Sequence, residues 1–196
     1  FANFVYFSRP NLTLEGGLTA EVSEIKVFSE VNQSQTVNFI KPRLSANYAI
    51  NDSSTFTLVA ERTVEQLDFN DFAASSDTSD SRTTSGNFNL QPEHATAFSA
   101  IYDWRFSERG SLNVEAVYEF RKDIHEKIFL PSGNHGVGNA GEADFWSVKT
   151  NLNLPVDAIL EHGLLEISHS YKGSDFYDPI IDDNRIISNY IPNYLK

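Results

Sequence analysis

Between Ser111 and Phe120 the chain alternates without a slip. Leu112, Val114, Ala116, Tyr118 and Phe120 fall on one side of an extended backbone. Asn113, Glu115, Val117 and Glu119 fall on the other, with Val117 the one apolar exception. A period of two marks a β-strand with one apolar and one wet face. The pattern recurs in Leu14–Val22, Ile40–Ile50, Phe56–Glu61, Phe98–Phe106, Trp146–Leu154 and Leu165–Tyr171, the last with His169 on its apolar side. Arg185–Lys196 is strand-like in composition, but adjacent Ile186 and Ile187 blur its phase and Pro192 removes a ladder donor. No segment sustains a helical period. The pattern predicts an all-β chain, an antiparallel up-and-down meander of about eight long strands.

The links between these strands sort by length. Ile50–Ser54 and Ser107–Ser111 are tight and turn-rich, and Pro155–Gly163 is modest. Long polar loops fall at about 65–94, 122–143 and 173–184. From the second strand onward the order is short, long, short, long, short, long. A meander puts alternate links at opposite ends of the sheet, so the long loops share one rim. Loops longer than about 12–15 residues are uncommon in compact domains unless they serve a function. Short turns on one rim and long loops on the other is the asymmetry of outer-membrane barrels. A Greek-key sandwich has no reason to sort its loops this way.

Composition narrows the classes. The 196 residues suffice for one domain. Fifteen Lys and Arg face 27 Asp and Glu, for a net charge of −12. That argues against nucleic acid, which requires a basic stripe. There is no Cys, hence no disulfide framework and no thiolate metal or redox site. No apolar run approaches the ~18 residues of a membrane helix, a scan to which an alternating barrel strand is invisible. The first residues, Phe1–Pro10, carry no signal-peptide pattern and the last read as mid-strand. We therefore expect one partial barrel domain over 1–196, an internal piece of a longer polypeptide.

The apolar faces meet either lipid or a second sheet. Aromatics cluster beside the short turns, with Tyr48 and Phe56 around one and Tyr102, Trp104 and Phe106 before the next. Such rings suit a membrane–water boundary. The opposite faces carry Lys41, Arg43, Glu61, Asp103, Arg105, Glu115, Glu119 and Lys149. Both a water-filled lumen and the outside of a soluble sandwich tolerate these charges. The scarcity of charge on the apolar faces favours lipid, because Lys or Arg at the bilayer midplane costs roughly 2–4 kcal/mol.

Four stretches add a resemblance. "RPNLTLEGGLTAEVSEI" (Arg9–Ile25) is similar to a barrel strand of TonB-dependent outer-membrane receptors, with Thr19 where that family often has Arg. "AERTVEQLDFNDFAAS" (Ala60–Ser75) and "GNFNLQPEHATAFS" (Gly86–Ser99) resemble the family's strand, extracellular loop and strand return. "SDFYDPIIDDNRIIS" (Ser174–Ser188) resembles a further loop-to-strand passage. The stretches cover about a third of the chain, in an order that fits the middle-to-late barrel. The resemblance implies an arc of a 22-stranded wall around a plug that is not seen here. It also implies a location in the Gram-negative outer membrane, contact with its lipid, and a plug energised through TonB. The implied activity is import of a scarce nutrient of the metal-chelate, cobalamin or oligosaccharide class, without catalysis or a resident cofactor.

Candidate site residues are few. Asp68, Asn70 and Asp71 interleave with Leu67, Phe69 and Phe72 where a strand leaves the membrane, which suits a loop base contacting ligand or an outer aromatic girdle. Arg43 and Arg105 are the corresponding ligand-contact candidates on the lumen face. His125 and His135 share a loop with Glu126 and Glu142, but their spacing matches no metal pattern. The glycine-rich Gly133–Gly141 lacks the Lys-Ser/Thr of a phosphate loop. The competing readings are a soluble β-sandwich binding module, for carbohydrate as one example, and a small membrane-barrel enzyme acting on lipids. No nucleophile motif supports the enzyme.

Overall fold

The computed structural model describes residues 2–27, 33–65, 67, 75–77, 82–84, 87, 89–129, 135–178, 180–187 and 192–196. The chain begins with β1 (Ala2–Arg9), β2 (Leu12–Val27), β3 (Gln33–Asn51) and β4 (Ser54–Val64). The short strands β5 (Ser75–Asp77) and β6 (Arg82–Thr84) follow within the first long link. Next come β7 (His94–Arg105), β8 (Ser111–Lys122) and the short pair β9 (His125–Phe129) and β10 (His135–Asn139). The chain ends with β11 (Glu142–Pro155), β12 (Leu164–Asp178), β13 (Asp183–Arg185) and β14 (Asn193–Leu195).

One ten-stranded sheet contains the long strands in the order β1-β2-β3-β4-β7-β8-β11-β12-β13, with β14 also on β12. All of its pairings are antiparallel, and setting aside the inserted hairpins β5–β6 and β9–β10 they join neighbours in the chain, except that β14 passes β13 to pair with β12. This is the meander that the alternation predicts.

The register turns the alternation into rows. Across the apolar face, Phe4, Gly16, Leu44, Ala60, Phe98, Tyr118, Trp146 and Gly173 stand opposite one another in turn. Large and small residues alternate along much of this row, and rings cover the glycines. A Cβ on Gly16 would collide with the Phe4 ring, and one on Gly173 with the Trp146 indole. Toward the short turns, Tyr48, Phe56, Tyr102, Val114, Thr150 and His169 form a parallel row. Toward the long loops the apolar face ends in Arg62, Thr96, Phe120, Asp144 and Asp175. From Trp146 to Leu154 the band runs about 27 Å along β11 at ~3.4 Å per residue. At a strand tilt of ~40° this is about 20 Å of membrane depth, close to the apolar height of an outer-membrane barrel.

No second layer covers this face among the described residues. Leu44 is 56% exposed, and Leu58 and Phe98 are each 49% exposed. The soluble-sandwich expectation requires these side chains to pack on another sheet, and β8 with Leu112, Val114 and Tyr118 packs on its ladder neighbours β7 and β11 instead. Water on such a face would forgo about 1.5–3 kcal/mol for each large side chain that could be buried. The small core lies elsewhere. Ile124, Ala143, Phe145 and Phe176 bury one another at the long-loop rim.

Two details depart from the sequence expectation. β1 is an additional strand, hidden because Phe4, Val5, Tyr6 and Phe7 are consecutively apolar and show no alternation. The third long loop is also shorter than expected, since β12 continues through Gly173 to Asp178. His169 consequently lies within β12, its Nε2 2.9 Å from Asn193 Oδ1.

Candidate functional site: the polar face and its long-loop rim

The polar face is tied together strand by strand. Near the short turns, the Asn113 amide donates to Asp103 at 2.8 Å and the Asn151 amide to Asn113 at 3.2 Å. The Ser168 hydroxyl then donates to Asn151 at 2.8 Å. Beside this ladder the Asn47 amide donates to the Thr57 hydroxyl at 2.8 Å, and the Asn153 amide to Ser111 at 2.9 Å. Directly opposed residues on a sheet lie within reach of such bonds. Higher on the face, Arg43 pairs with Glu61, its cross-strand neighbour. Lys41 pairs with Glu21.

The rim holds a denser arrangement. Arg121, at the end of β8, donates to Glu93 at 3.0 Å and pairs with Glu119 at 2.6 Å, while its guanidinium lies 3.8 Å from the Phe145 ring centroid. Arg185, on β13, contacts Asp178 at 2.6 Å and Glu126 at 3.1 Å, with its guanidinium 5.0 Å from the Phe176 centroid. Phe145 and Phe176 belong to the polar-face parity. They are buried there because Ile124 and Ala140, at the two ends of the link containing β9–β10, and Ile187 pack against them, with the Arg121 and Arg185 guanidinium groups on their faces. Glu93, Glu126 and Asp178 are buried as well, and buried carboxylates persist when they are paired.

Loop bases lock to one another through Asn139. Its amide donates to the Gln91 carbonyl at 2.9 Å while its side-chain oxygen accepts the Gln91 N–H at 2.8 Å. The same amide reaches the Asp123 carbonyl at 2.9 Å. His125 Nε2 lies 2.8 Å from the Gln91 carbonyl, and Asn87 donates to Val137 at 3.2 Å. Leu90 is fully buried beneath these contacts.

The sequence candidates separate. Arg43 and Arg105 both lie on the polar face. Arg43 is in an ion pair, while Arg105 lies opposite Ser111 and donates its backbone N–H to Ser53 at 2.8 Å. Neither joins the rim. Asp68, Asn70 and Asp71 lie outside the described residues. Sequence reasoning missed Arg121, Arg185 and Asn139. The available signal was Phe145, a ring at a polar-face position, which implies that something covers it. Among the described residues, no group of three or more His, Asp or Glu side chains could hold a metal ion. No described helix is long and apolar enough to cross a membrane. The polar face is a surface of fixed donors, acceptors and paired charges.

No family model and no curated protein matches the sequence. Solved structures do. The copper transporter OprC superposes with a TM-score of 0.74 at 12% identity, covering 97% of this chain and 30% of that one. The siderophore receptor PirA from Pseudomonas aeruginosa gives 0.59 at 15% identity, covering 88% and 32%. The chain folds as a stretch of outer-membrane barrel wall. It spans about a third of the length of these proteins. At such identities the likeness concerns the fold alone.

Proposed function

We propose that this wall belongs to a TonB-dependent receptor of the Gram-negative outer membrane that binds and imports a scarce nutrient. The observation that carries the reading is the division of the sheet. One face is apolar, uncharged between two aromatic rows and uncovered. The other is a hydrogen-bonded polar surface rimmed by long loops. A barrel separating hydrocarbon from a watery lumen needs this division. The likeness to a copper transporter and a siderophore receptor supports nutrient uptake, and the ligand classes proposed are metal chelates, cobalamins and oligosaccharides. The wall's partners in this reading are membrane lipid, the receptor's own plug domain and, through it, TonB.

Arg43, Arg105 and the loop base Asp68, Asn70 and Asp71 are the proposed ligand contacts. The test is ligand-limited growth of a strain carrying the full-length receptor, with surface expression measured in parallel. Replacing Arg43 and Arg105 together with Ala is expected to lower uptake at least several-fold at unchanged expression. Unchanged uptake would remove both from the site.

A further inference from the structure

Among the described links of the short-turn rim, the one between β11 and β12 is unlike its neighbours. Pro10–Asn11 and Asp52–Ser53 are built from polar or proline residues, and Phe106–Gly110 carries one apolar side chain, Phe106, half-buried against Trp104. The stretch Val156–Gly163 instead makes a helical turn, in which the Ile159 and Leu160 N–H groups donate to the Val156 carbonyl at 2.9 and 3.0 Å. Ile159 is 88% exposed and Leu160 64%.

The turn is pinned. The Val156 N–H donates to Gly163 at 3.0 Å, and the Gly163 N–H to Leu160 at 2.8 Å. A Cβ on Gly163 would meet the Leu160 carbonyl oxygen and Val156 Cγ2 at 2.8 Å, so the backbone is closed there. Arg109, from the adjacent turn, holds the Asp157 carboxylate at 2.5 and 2.6 Å and the His162 carbonyl at 3.1 Å. A turn fixed at this many points does not hide its aliphatic side chains by local collapse.

Isolated exposed aliphatics are ordinary on protein surfaces. These two continue an existing apolar surface. Leu154 and Leu165, opposite one another and 38% and 45% exposed, are the last pair of the apolar face before the turn. Trp104 and Phe106, with ring centroids 5.0 Å apart, mark the same end of the sheet two strands away. The cover that suits Leu154 and Leu165 therefore reaches Ile159 and Leu160.

We propose that the Val156–Gly163 turn is a membrane-surface anchor, with Ile159 and Leu160 inserted at the headgroup–acyl boundary of the leaflet on the short-turn side. Apolar side chains on a polar turn bury themselves about 5–10 Å into that boundary. Pro10–Asn11 and Asp52–Ser53, lacking such side chains, stay in water. The inference rests on the membrane reading of the wall and adds to it a second, peripheral lipid contact.

The test places an environment-sensitive fluorophore on Ile159→Cys in the full-length receptor, reconstituted in phospholipid nanodiscs. Leu58→Cys, on the apolar face, and Asp52→Cys, on a polar turn, are controls. Quenchers are a phospholipid with a nitroxide near the headgroup end of its acyl chain and aqueous iodide. Probes at Ile159 and Leu58 are expected to respond several-fold more to the nitroxide lipid, and the probe at Asp52 to iodide. If Ile159 follows Asp52 while Leu58 follows the lipid, the anchor is wrong and the membrane reading stands. Shielding of Ile159 from both quenchers would mean cover by protein and would also overturn the anchor. If Leu58 fails to respond to lipid, both ideas fall.

Discussion

Replacing Arg121 with alanine measures what the long-loop rim is worth. Its side chain is 31% exposed, and the Glu93 side chain that it pairs with is 11% exposed. Removing one partner of a buried pair costs about 3–5 kcal/mol because a charge is left unsatisfied. Partial exposure of the guanidinium screens this pair, bringing the expectation to about 2–3 kcal/mol. Loss of the contact with Phe145 adds about 0.5–1 kcal/mol. Arg43 is the internal comparison. Its side chain is 56% exposed in the pair with Glu61, and such pairs are worth under about 1 kcal/mol. The assay is native-state hydrogen exchange on the full-length protein. The reporter amides are Ile124, bonded to Gly141 at 3.2 Å, and Ala140, bonded to Ile124 at 2.8 Å. At 1.4 kcal/mol per decade, R121A is expected to lower their protection about a hundredfold and R43A less than about fivefold. Adding Glu93→Ala to R121A should recover part of the loss, since the stranded carboxylate is then gone. Protection in R121A within a few-fold of the parent would refute the account of the rim.

Two further outcomes follow from the same geometry. Hydrogen bonds from Arg185 and from the Ile180 N–H hold the Asp178 carboxyl below its ordinary range. A depressed folded-state value stabilises above the ordinary aspartate range and is lost as pH falls through the lowered value. Intrinsic-rate-corrected protection of the Asp182 amide, bonded to the Asp178 carbonyl at 2.9 Å, should thus hold from neutral pH into the ordinary carboxylate range and fall only below it. Loss already near neutral pH would contradict this. Gly173→Ala should displace the Trp146 indole, whose atoms occupy the space of the added Cβ. The expected cost is about 1–3 kcal/mol for overpacking with a shift in tryptophan emission, and unchanged emission would show that the ring does not lie on Gly173.

The wall was legible in the sequence because its signal is periodic and repeated. Leu112 to Phe120 could be read as a two-faced strand without any neighbour, and the alternation of short and long links fixed the meander. β1 escaped because the consecutive apolar Phe4, Val5, Tyr6 and Phe7 leave no phase to read. Gly173–Asp178 looked like loop, being rich in Gly, Ser and Asp. The glycine is there to admit the Trp146 ring from the neighbouring strand, a cause local composition does not reveal. The rim was the least legible part. Arg121, Asn139 and Arg185 are far apart in the chain and carry no motif. Their partners come from other strands and links, Glu93 for Arg121, Gln91 for Asn139, and Asp178 and Glu126 for Arg185, and a sequence hints at such cover only through rings at polar-face positions.

The central claim is that the two faces of the sheet meet different solvents. Cysteine pairs at adjacent positions of opposite parity test it: Leu58 against Val59, Ala100 against Ser99, and Ala116 against Val117. In the full-length protein in bilayers, a small membrane-impermeant thiol reagent is expected to label Val59→Cys, Ser99→Cys and Val117→Cys and to leave their partners unlabelled. Labelling of Leu58→Cys, Ala100→Cys and Ala116→Cys at comparable rates would contradict the account.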